Sequence, residues 1–197
     1  MAYQSYWYQT NLPKEIVDIL EQDLSNFDDE KQRSTLINNN VNIEKRNSDN
    51  AWIPTTHWLA GFLWHYIHRA NRENFMYDLT GIDGETLQYT FYQEGQFYDW
   101  HTDSNLSIHR SPLTYEETLD PPKEFVRKLS VVLQLTDENL YKGGDLEIQD
   151  YEGNKYTAPR ARGSVIMFDS RALHRVAPVT EGIRKSIVGW VIGPRWK

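Results

Sequence analysis

Cysteine is absent from this chain. Its absence excludes disulfides, thiolate metal sites and a cysteine nucleophile. Any metal must then sit on His, Asp or Glu, donors suited to hard or borderline ions such as Fe(II), Mn(II) or Zn(II). Long apolar runs are missing too. Mean hydropathy is −0.69, and no stretch approaches the roughly 20 residues that a membrane-crossing helix needs. Positive charge is in deficit: 21 Lys and Arg face 28 Asp and Glu, a formal net charge of −7. Binding to a phosphate backbone needs a clustered basic surface. The short groupings Arg160-Ala161-Arg162 and Arg171 with Arg175 read as solvated sheet edges, so a nucleic-acid partner is not expected. The start, Met1-Ala2-Tyr3-Gln4-Ser5-Tyr6-Trp7, has neither a basic segment nor an apolar core. No secretion signal is read there, and a cytoplasmic location without membrane attachment is expected.

What the chain does have is aromatic surface, 13% of residues with 7 Trp and 12 Tyr, which suits a sheet-rich fold with a lined cavity. With 197 residues, 39% of them hydrophobic, one domain over 1–197 with a real core is expected. The first 80 or so residues read as helical or irregular. Ile16, Ile19, Leu20 and Leu24 have helical spacing behind Pro13, which predicts a helix over 13–24. A polar stretch over 26–50 follows, with a short strand suggested by Val41 and Ile43. A second helix is predicted over 56–71, its apolar face formed by Leu59, Phe62, Leu63, Tyr66, Ile67 and Ala70. His65 and His68 lie on this helix at i and i+3, without a carboxylate to complete a metal set, and read as helix surface. From 87 the pattern turns to strands, predicted over 87–93, 128–135, 145–148, 164–168 and 187–192. Helices followed by many short strands mean α+β. Between 104 and 125 no periodicity is found, and a loop of that length inside a compact domain is usually functional or disordered.

The residues that carry chemistry begin with His101-Thr102-Asp103. On a strand, positions i and i+2 point to the same side, so an imidazole and a carboxylate meet at one point. A third ligand must come from elsewhere. Two imidazoles and one carboxylate on one face of Fe(II) leave the remaining positions open, as in non-haem iron oxygenases. A His-x-Asp pair alone arises easily by chance, so its weight comes from its surroundings.

Those surroundings resemble a known family. Tyr92-Gln93-Glu94-Gly95-Gln96-Phe97-Tyr98-Asp99-Trp100-His101-Thr102-Asp103 is similar to the Tyr-x-x-Gly-x-x-Tyr-x-x-His-x-Asp segment of the prolyl-4-hydroxylase-like 2-oxoglutarate oxygenases. Gly143-Gly144-Asp145-Leu146 resembles the Gly-Gly-x-Leu strand of that family. Gly163-Ser164-Val165-Ile166-Met167-Phe168 then leads to His174-Arg175-Val176-Ala177-Pro178-Val179-Thr180-Glu181-Gly182-Ile183-Arg184 and Trp190. This ending is close to the bacterial and viral hydroxylases of the group. Arg46-Asn47-Ser48 with Trp52 adds to the resemblance, which covers roughly 40–193.

The resemblance implies a double-stranded β-helix (jelly roll) core over about 85–193, with N-terminal helices packed outside it. It implies His101, Asp103 and His174 as Fe(II) ligands and Arg184 as the partner of the distal carboxylate of 2-oxoglutarate. A guanidinium suits that role, because it is always charged and can meet a carboxylate with two parallel hydrogen bonds. Tyr92 matches a tyrosine that contacts 2-oxoglutarate in relatives, though it reads equally as a core aromatic. Gln134 stands where relatives commonly have tyrosine. Ser186 and Trp190 share the strand face of Arg184, and Ser186 could add a hydroxyl to the same carboxylate. The implied reagents are Fe(II), 2-oxoglutarate and O2, with ascorbate as an accessory reductant. Asp103 favours hydroxylation, because halogenating relatives lack this carboxylate. A proline in a peptide or protein is the first expectation for the substrate, with Arg46, Trp52 and the 104–125 loop as candidate contacts. A free amino acid or small metabolite is the alternative substrate. A non-catalytic cupin-like binding module and a zinc hydrolase are the alternative classes, and the zinc hydrolase leaves Arg184 without a purpose.

Overall fold

The structure, a computed structural model, describes residues 7–34, 44–104, 109–110 and 124–196. In chain order the elements are β1 (Trp7–Asn11), α1 (Lys14–Leu24), β2 (Gln32–Arg33), β3 (Arg46–Asn47), β4 (Asp49–Pro54), α2 (Trp58–Ala70), β5 (Gly81–Ile82) and β6 (Thr86–Tyr92). They continue as β7 (Phe97–His101), β8 (His109–Arg110), β9 (Glu124–Gln134), β10 (Tyr141–Gly143), β11 (Leu146–Gln149) and β12 (Lys155–Thr157). The last four are β13 (Ser164–Asp169), β14 (Leu173–Val176), β15 (Val179–Gly182) and β16 (Arg184–Pro194).

Nine strands form one sheet with the main path β1-β13-β9-β16-β6-β4-β2, to which β5 adds beside β16 and β8 beside β9. A five-stranded sheet runs β12-β11-β14-β7-β3, and β10 pairs with β15. Alternate residues of a strand point to opposite sides, which gives the large sheet two different faces. On one face Leu87, Tyr89 and Phe91 of β6, Leu129, Val131 and Leu133 of β9, and Ile187 and Val191 of β16 pack with α1 and α2. On the other, Tyr92, Val132, Ile166 and Phe168 pack with Leu146, Ile148 and Val176 of the small sheet. Two sheets face each other across this inner layer and the helices cover the outside, giving the expected α+β jelly roll.

Both helices form where the spacing predicts them. α1 follows Pro13, whose φ of −56° already suits a helix start. It buries Val17, Leu20 and Leu24, each worth about 1.5–3 kcal/mol when fully buried. Ile19, expected on that face, is instead 56% exposed: Val17, at i with Leu20 and Leu24 at i+3 and i+7, takes the inward position. α2 begins after His57, whose Nδ1 accepts the Leu59 N–H at 3.3 Å. It buries Leu59, Ala60, Leu63, Ile67 and Ala70, while His65 and His68 are exposed.

The N-terminal part departs from a helical or irregular reading. β1 joins the edge of the large sheet by pairing with β13, and β4 pairs with β6 along its whole length. β1 and β4 are short and each runs on into a helix, so their period-2 signal is weak in sequence, and their partners are not their neighbours in the chain. Residues 41–43, where a short strand was expected, lie outside the described residues. So do 105–108 and 111–123 of the expected loop. Its described part is not structureless, however: β8 pairs with the first residues of β9, His109 with Phe125 and Arg110 with Glu124. The basic groupings are not simply solvated edges either. Arg160 pairs with Asp145, Arg162 with Asp18 and Glu21, Arg171 with Asp169, and Arg175 with Glu147.

Candidate active site

The inner face of the large sheet and the facing side of the small one enclose a cavity. His101 ends β7, and its cross-strand partner on β14 is His174. Antiparallel partners share a face, so two residues 73 positions apart in sequence (174 − 101) stand side by side. Asp103 follows just past the end of β7, where its N–H and that of Ser104 both donate to the Ser170 carbonyl, at 2.9 and 2.8 Å. The potential ligand atoms of His101, Asp103 and His174 all lie within 4.8 Å of one another. Asp103 Oδ1 is 3.6 Å from His101 Nε2, and Oδ2 is 3.4 Å from His174 Nε2.

Both histidines are aimed by the backbone. His101 Nδ1 lies 2.7 Å from the Asp99 carbonyl oxygen and His174 Nδ1 lies 2.9 Å from that of Ala172. A carbonyl oxygen only accepts, so each Nδ1 carries the hydrogen and each Nε2 turns its lone pair toward Asp103. Tyr98 stacks on the His101 ring at 3.5 Å between centroids, and Phe168 meets His174 edge-on at 4.6 Å. Burial, reinforced by His174, lowers the His101 pKa to about 3, which keeps that imidazole neutral and ready to donate its lone pair. Burial pushes the Asp103 carboxyl up, but the two imidazoles, His174 foremost, and the Ser130 hydroxyl together outweigh it, so the group lies well below the usual carboxylate range.

A second charged group lines the same cavity. Arg184 begins β16 opposite Tyr92 of β6, and only 1% of it is exposed. Its Nε and Nη2 have no hydrogen-bond partner among the described residues, and neither does the buried Ser186 Oγ two residues along the same face. Burial lowers the guanidinium's pKa, opposed by Tyr92 and Tyr141, the latter also by a hydrogen bond. It stays charged, because arginine starts so high. A buried, unpaired cation is expensive by several kcal/mol. Two parallel N–H donors and a hydroxyl, all unsatisfied, are the complement of a carboxylate. The donor set thus fits both groups of an iron and keto-diacid pair: a neutral imidazole and a carboxylate beside a second imidazole for the ion, and an anion cradle for the acid.

The glycine pair shapes that cradle. Gly144 has φ +65°, and a Cβ there would lie 2.9 Å from Val179 Cγ2 and 3.2 Å from Arg184 Cδ. At Gly143 it would lie 2.2 Å from the Pro178 oxygen. Arg160 fixes the same turn by donating to the Gly143, Tyr141 and Asp145 oxygens.

Of the residues singled out in the sequence, His101, Asp103, His174, Arg184, Tyr92, Ser186, Trp190 and Arg46 line this cavity. Gln134 stands one step back, buried and directly across from Ser186, its Oε1 without a partner among the described residues. Trp52 is not part of the lining. It pairs across from Gln88, which is, and stands 49% exposed on the same sheet face at the rim. Several participants escaped the sequence reading: Tyr98 on the His101 ring, Ser130 on the Asp103 carboxylate, and Tyr141 beside Arg184. Ser130 carried a usable signal, since it and Gln134 are polar positions of one apolar strand, four residues apart and hence on one face.

Comparison with known proteins agrees with this geometry. A PKHD-type hydroxylase of Xylella fastidiosa (strain M12) is 33% identical over 144 residues, 72% of this chain and 60% of that protein. One from Synechococcus sp. (strain CC9311) is 46% identical over 63 residues, 32% of this chain and 28% of that protein. The chain spans less than two thirds of the length of these curated relatives. Among solved structures, a Pseudomonas putida prolyl-4-hydroxylase matches with TM-score 0.70 and 21% identity, covering 96% of this chain and 93% of that one. A Trichoplax adhaerens prolyl hydroxylase, solved with a hypoxia inducible factor peptide fragment, matches with TM-score 0.75 and 19% identity over 95% and 84% of the two chains. The family model of the 2OG-Fe(II) oxygenase superfamily matches residues 87–192. That match takes in both histidines, the carboxylate and Arg184 and covers more than half of the chain, which therefore belongs to the 2OG-Fe(II) oxygenase superfamily, with Fe(II), 2-oxoglutarate and O2 as its reagents.

Proposed function

We propose that this chain, working as one domain, hydroxylates a proline in a peptide or protein with Fe(II), 2-oxoglutarate and O2. The observation that carries the reading is the meeting, in one cavity, of the His101–Asp103–His174 group with a buried arginine whose Nε and Nη2 have no partner among the described residues. Names among the relatives point the same way: PKHD-type hydroxylases in sequence, and prolyl hydroxylases in structure, one of them holding a peptide.

In this reading His101, Asp103 and His174 hold the metal. Bound Fe(II) would activate O2, one oxygen atom going to 2-oxoglutarate as it becomes succinate and CO2 and the other to a substrate C–H, which becomes C–OH. The protein's part is placement and exclusion of water. Arg184 Nε and Nη2 receive the distal carboxylate of the keto acid, Ser186 adds its hydroxyl, and Tyr92 flanks the guanidinium, its ring centre 5.5 Å from Arg184 Cζ. Gln134, across from Ser186, backs the same cradle. Trp190 forms the adjoining wall. Apolar Val132, Leu146, Phe168, Val176 and Val188 line the rest and keep it dry. Burial raises the Tyr98 phenol to about 12, so it remains a hydroxyl donor at neutral pH. Arg46, 4.8 Å from the Tyr98 ring centre, is placed to hold a substrate carbonyl or carboxylate at the mouth, and Trp52 at the rim to cover a bound chain.

The test is incubation with Fe(II), 2-oxoglutarate, ascorbate and a set of proline-containing peptides, followed by mass spectrometry. A one-oxygen shift on proline with matching succinate supports the reading. No succinate above background with any peptide would refute it.

A further inference from the structure

The Asp103 carboxylate has a hydrogen-bond partner besides the two imidazoles. Its Oδ2 accepts a hydrogen bond from Ser130 Oγ at 2.6 Å, and Ser170 Oγ lies 3.1 Å from the same hydroxyl. Both serines are 0% exposed. An ionised carboxylate has no hydrogen to give, so Ser130 donates to Oδ2 and Ser170 donates to Ser130. Ser170 is itself fixed. Its carbonyl takes the Asp103 and Ser104 N–H groups, and its own N–H donates to the Lys128 oxygen at 3.1 Å. On either side of it, Asp169 and Arg171 pair with each other, and Tyr77 donates to Asp169 at 2.6 Å.

The carboxylate meets the two imidazoles edge-on, with one oxygen near each Nε2. An ion gripped by those nitrogens is therefore within reach of both oxygens, and carboxylates bind metals through one oxygen or two. The difference matters here. Three single-atom protein ligands leave three positions on an octahedral ion, which a keto acid chelating through two atoms and O2 fill between them. A second carboxylate oxygen would take one of those positions.

We propose that Ser130 is a positioning residue that keeps Asp103 a one-oxygen ligand. Its hydroxyl engages Oδ2 and fixes the carboxylate plane, Ser170 orients that hydroxyl, and Oδ1 is left as the better donor to the metal. This rests on the reading of the site given under Proposed function.

The test uses the full chain and binding as well as turnover. Fe(II) is titrated into wild type, Ser130→Ala, Ser130→Thr and Ser170→Ala without oxygen. 2-Oxoglutarate is then titrated into the loaded proteins, read by the charge-transfer absorption of the Fe(II)–keto acid chelate. Co(II) absorption reports the coordination number. Ser130→Ala is expected to bind Fe(II) at least as tightly as wild type, yet to take 2-oxoglutarate about tenfold more weakly. Ser130→Thr keeps the hydroxyl and restores binding. Ser170→Ala shows a smaller loss in the same direction, which keeps the test decisive should Ser130→Ala fail to fold. If Ser130→Ala weakens Fe(II) binding but leaves keto acid affinity of the loaded protein unchanged, Ser130 only aims the ligand and the proposal is overturned. Unchanged affinities throughout overturn it equally. A wild-type protein that gives no charge-transfer band would instead defeat the reading of the site on which the proposal stands.

Discussion

Replacing Arg184 with methionine should have opposite effects on the empty and the loaded protein. Met keeps most of the apolar stem that lies beside Gly144 and removes the charged head. In the ligand-free protein that head is buried with two N–H groups unpartnered among the described residues. Burying an ion costs several kcal/mol, and apolar replacements of buried charges are often stabilising by about 1–4 kcal/mol. Ligand-free Arg184→Met should therefore unfold at a higher denaturant concentration than wild type. With 2-oxoglutarate the sign reverses. Each hydrogen bond to a charged group is worth about 1.5–3 kcal/mol. Losing two of them weakens keto acid binding by about 3–6 kcal/mol, or roughly 10² to 10⁴ in Kd. The assay is unfolding of Fe(II)-loaded protein against 2-oxoglutarate concentration, where wild type gains RT ln(1 + [L]/Kd) and the variant gains nothing until far higher concentrations. An unchanged concentration dependence would refute the carboxylate role of Arg184. A ligand-free variant less stable than wild type would refute the claim that the cation is held at a cost for its ligand.

Other outcomes follow from the same structure. His174→Ala should abolish metal binding and turnover, checked by calorimetric titration with Fe(II); a retained metal would show that the ligand set is wrong. Gly144→Ala, at φ +65° and 3.2 Å from Arg184 Cδ, should lower stability by about 1–3 kcal/mol and raise the 2-oxoglutarate requirement, read from Tm and from turnover at graded concentrations. The folded His101 pKa of about 3 lies below the ordinary value near 6.5, so the unfolded chain binds more protons between those limits. Metal-free stability should fall as pH is lowered from about 6.5 toward 3, and His101→Gln should flatten that slope in denaturant titrations across the window. Leu20→Ala should cost about 2–5 kcal/mol while Ile19→Ser stays within about 0.5 kcal/mol, a contrast that equilibrium unfolding checks directly.

How much of this was legible in the sequence depends on where each signal resides. The His101–Asp103 pair is local, two positions apart in sequence, although Asp103 stands just past the end of β7 and is held there by the Ser170 carbonyl rather than by a strand. The helices over 13–24 and 56–71 were legible from spacing alone, apart from Ile19, whose inward place belongs to Val17. The third ligand is different. His174 reaches the pair only because β14 lies beside β7 in the small sheet, and periodicity carries nothing about which strands become neighbours; it was the resemblance that pointed to His174 and Arg184. The same limit hid β1 and β4. Tyr98, Ser130 and Tyr141 were missed because their roles are defined by partners: an imidazole face, a carboxylate oxygen and a buried guanidinium. A single strand shows that a polar residue is buried, but not what it bonds.

Along β16 the two demands on the protein alternate residue by residue. Ile187 and Val191 face the helices and belong to the core that holds the sheet. Arg184, Ser186, Val188 and Trp190 face the cavity, and three of these four carry buried polar atoms without partners among the described residues. Such atoms weaken a fold, and here the outer face compensates. Because the strand period is two, a one-residue slip of β16 against β6 or β9 would turn Arg184 into the helix layer and Ile187 into the cavity. The long pairing of β16 with β9, from Ser186–Gln134 to Pro194–Phe125, therefore does more than stabilise. It fixes the register on which the position of the carboxylate cradle, and its distance from the two histidines, depends.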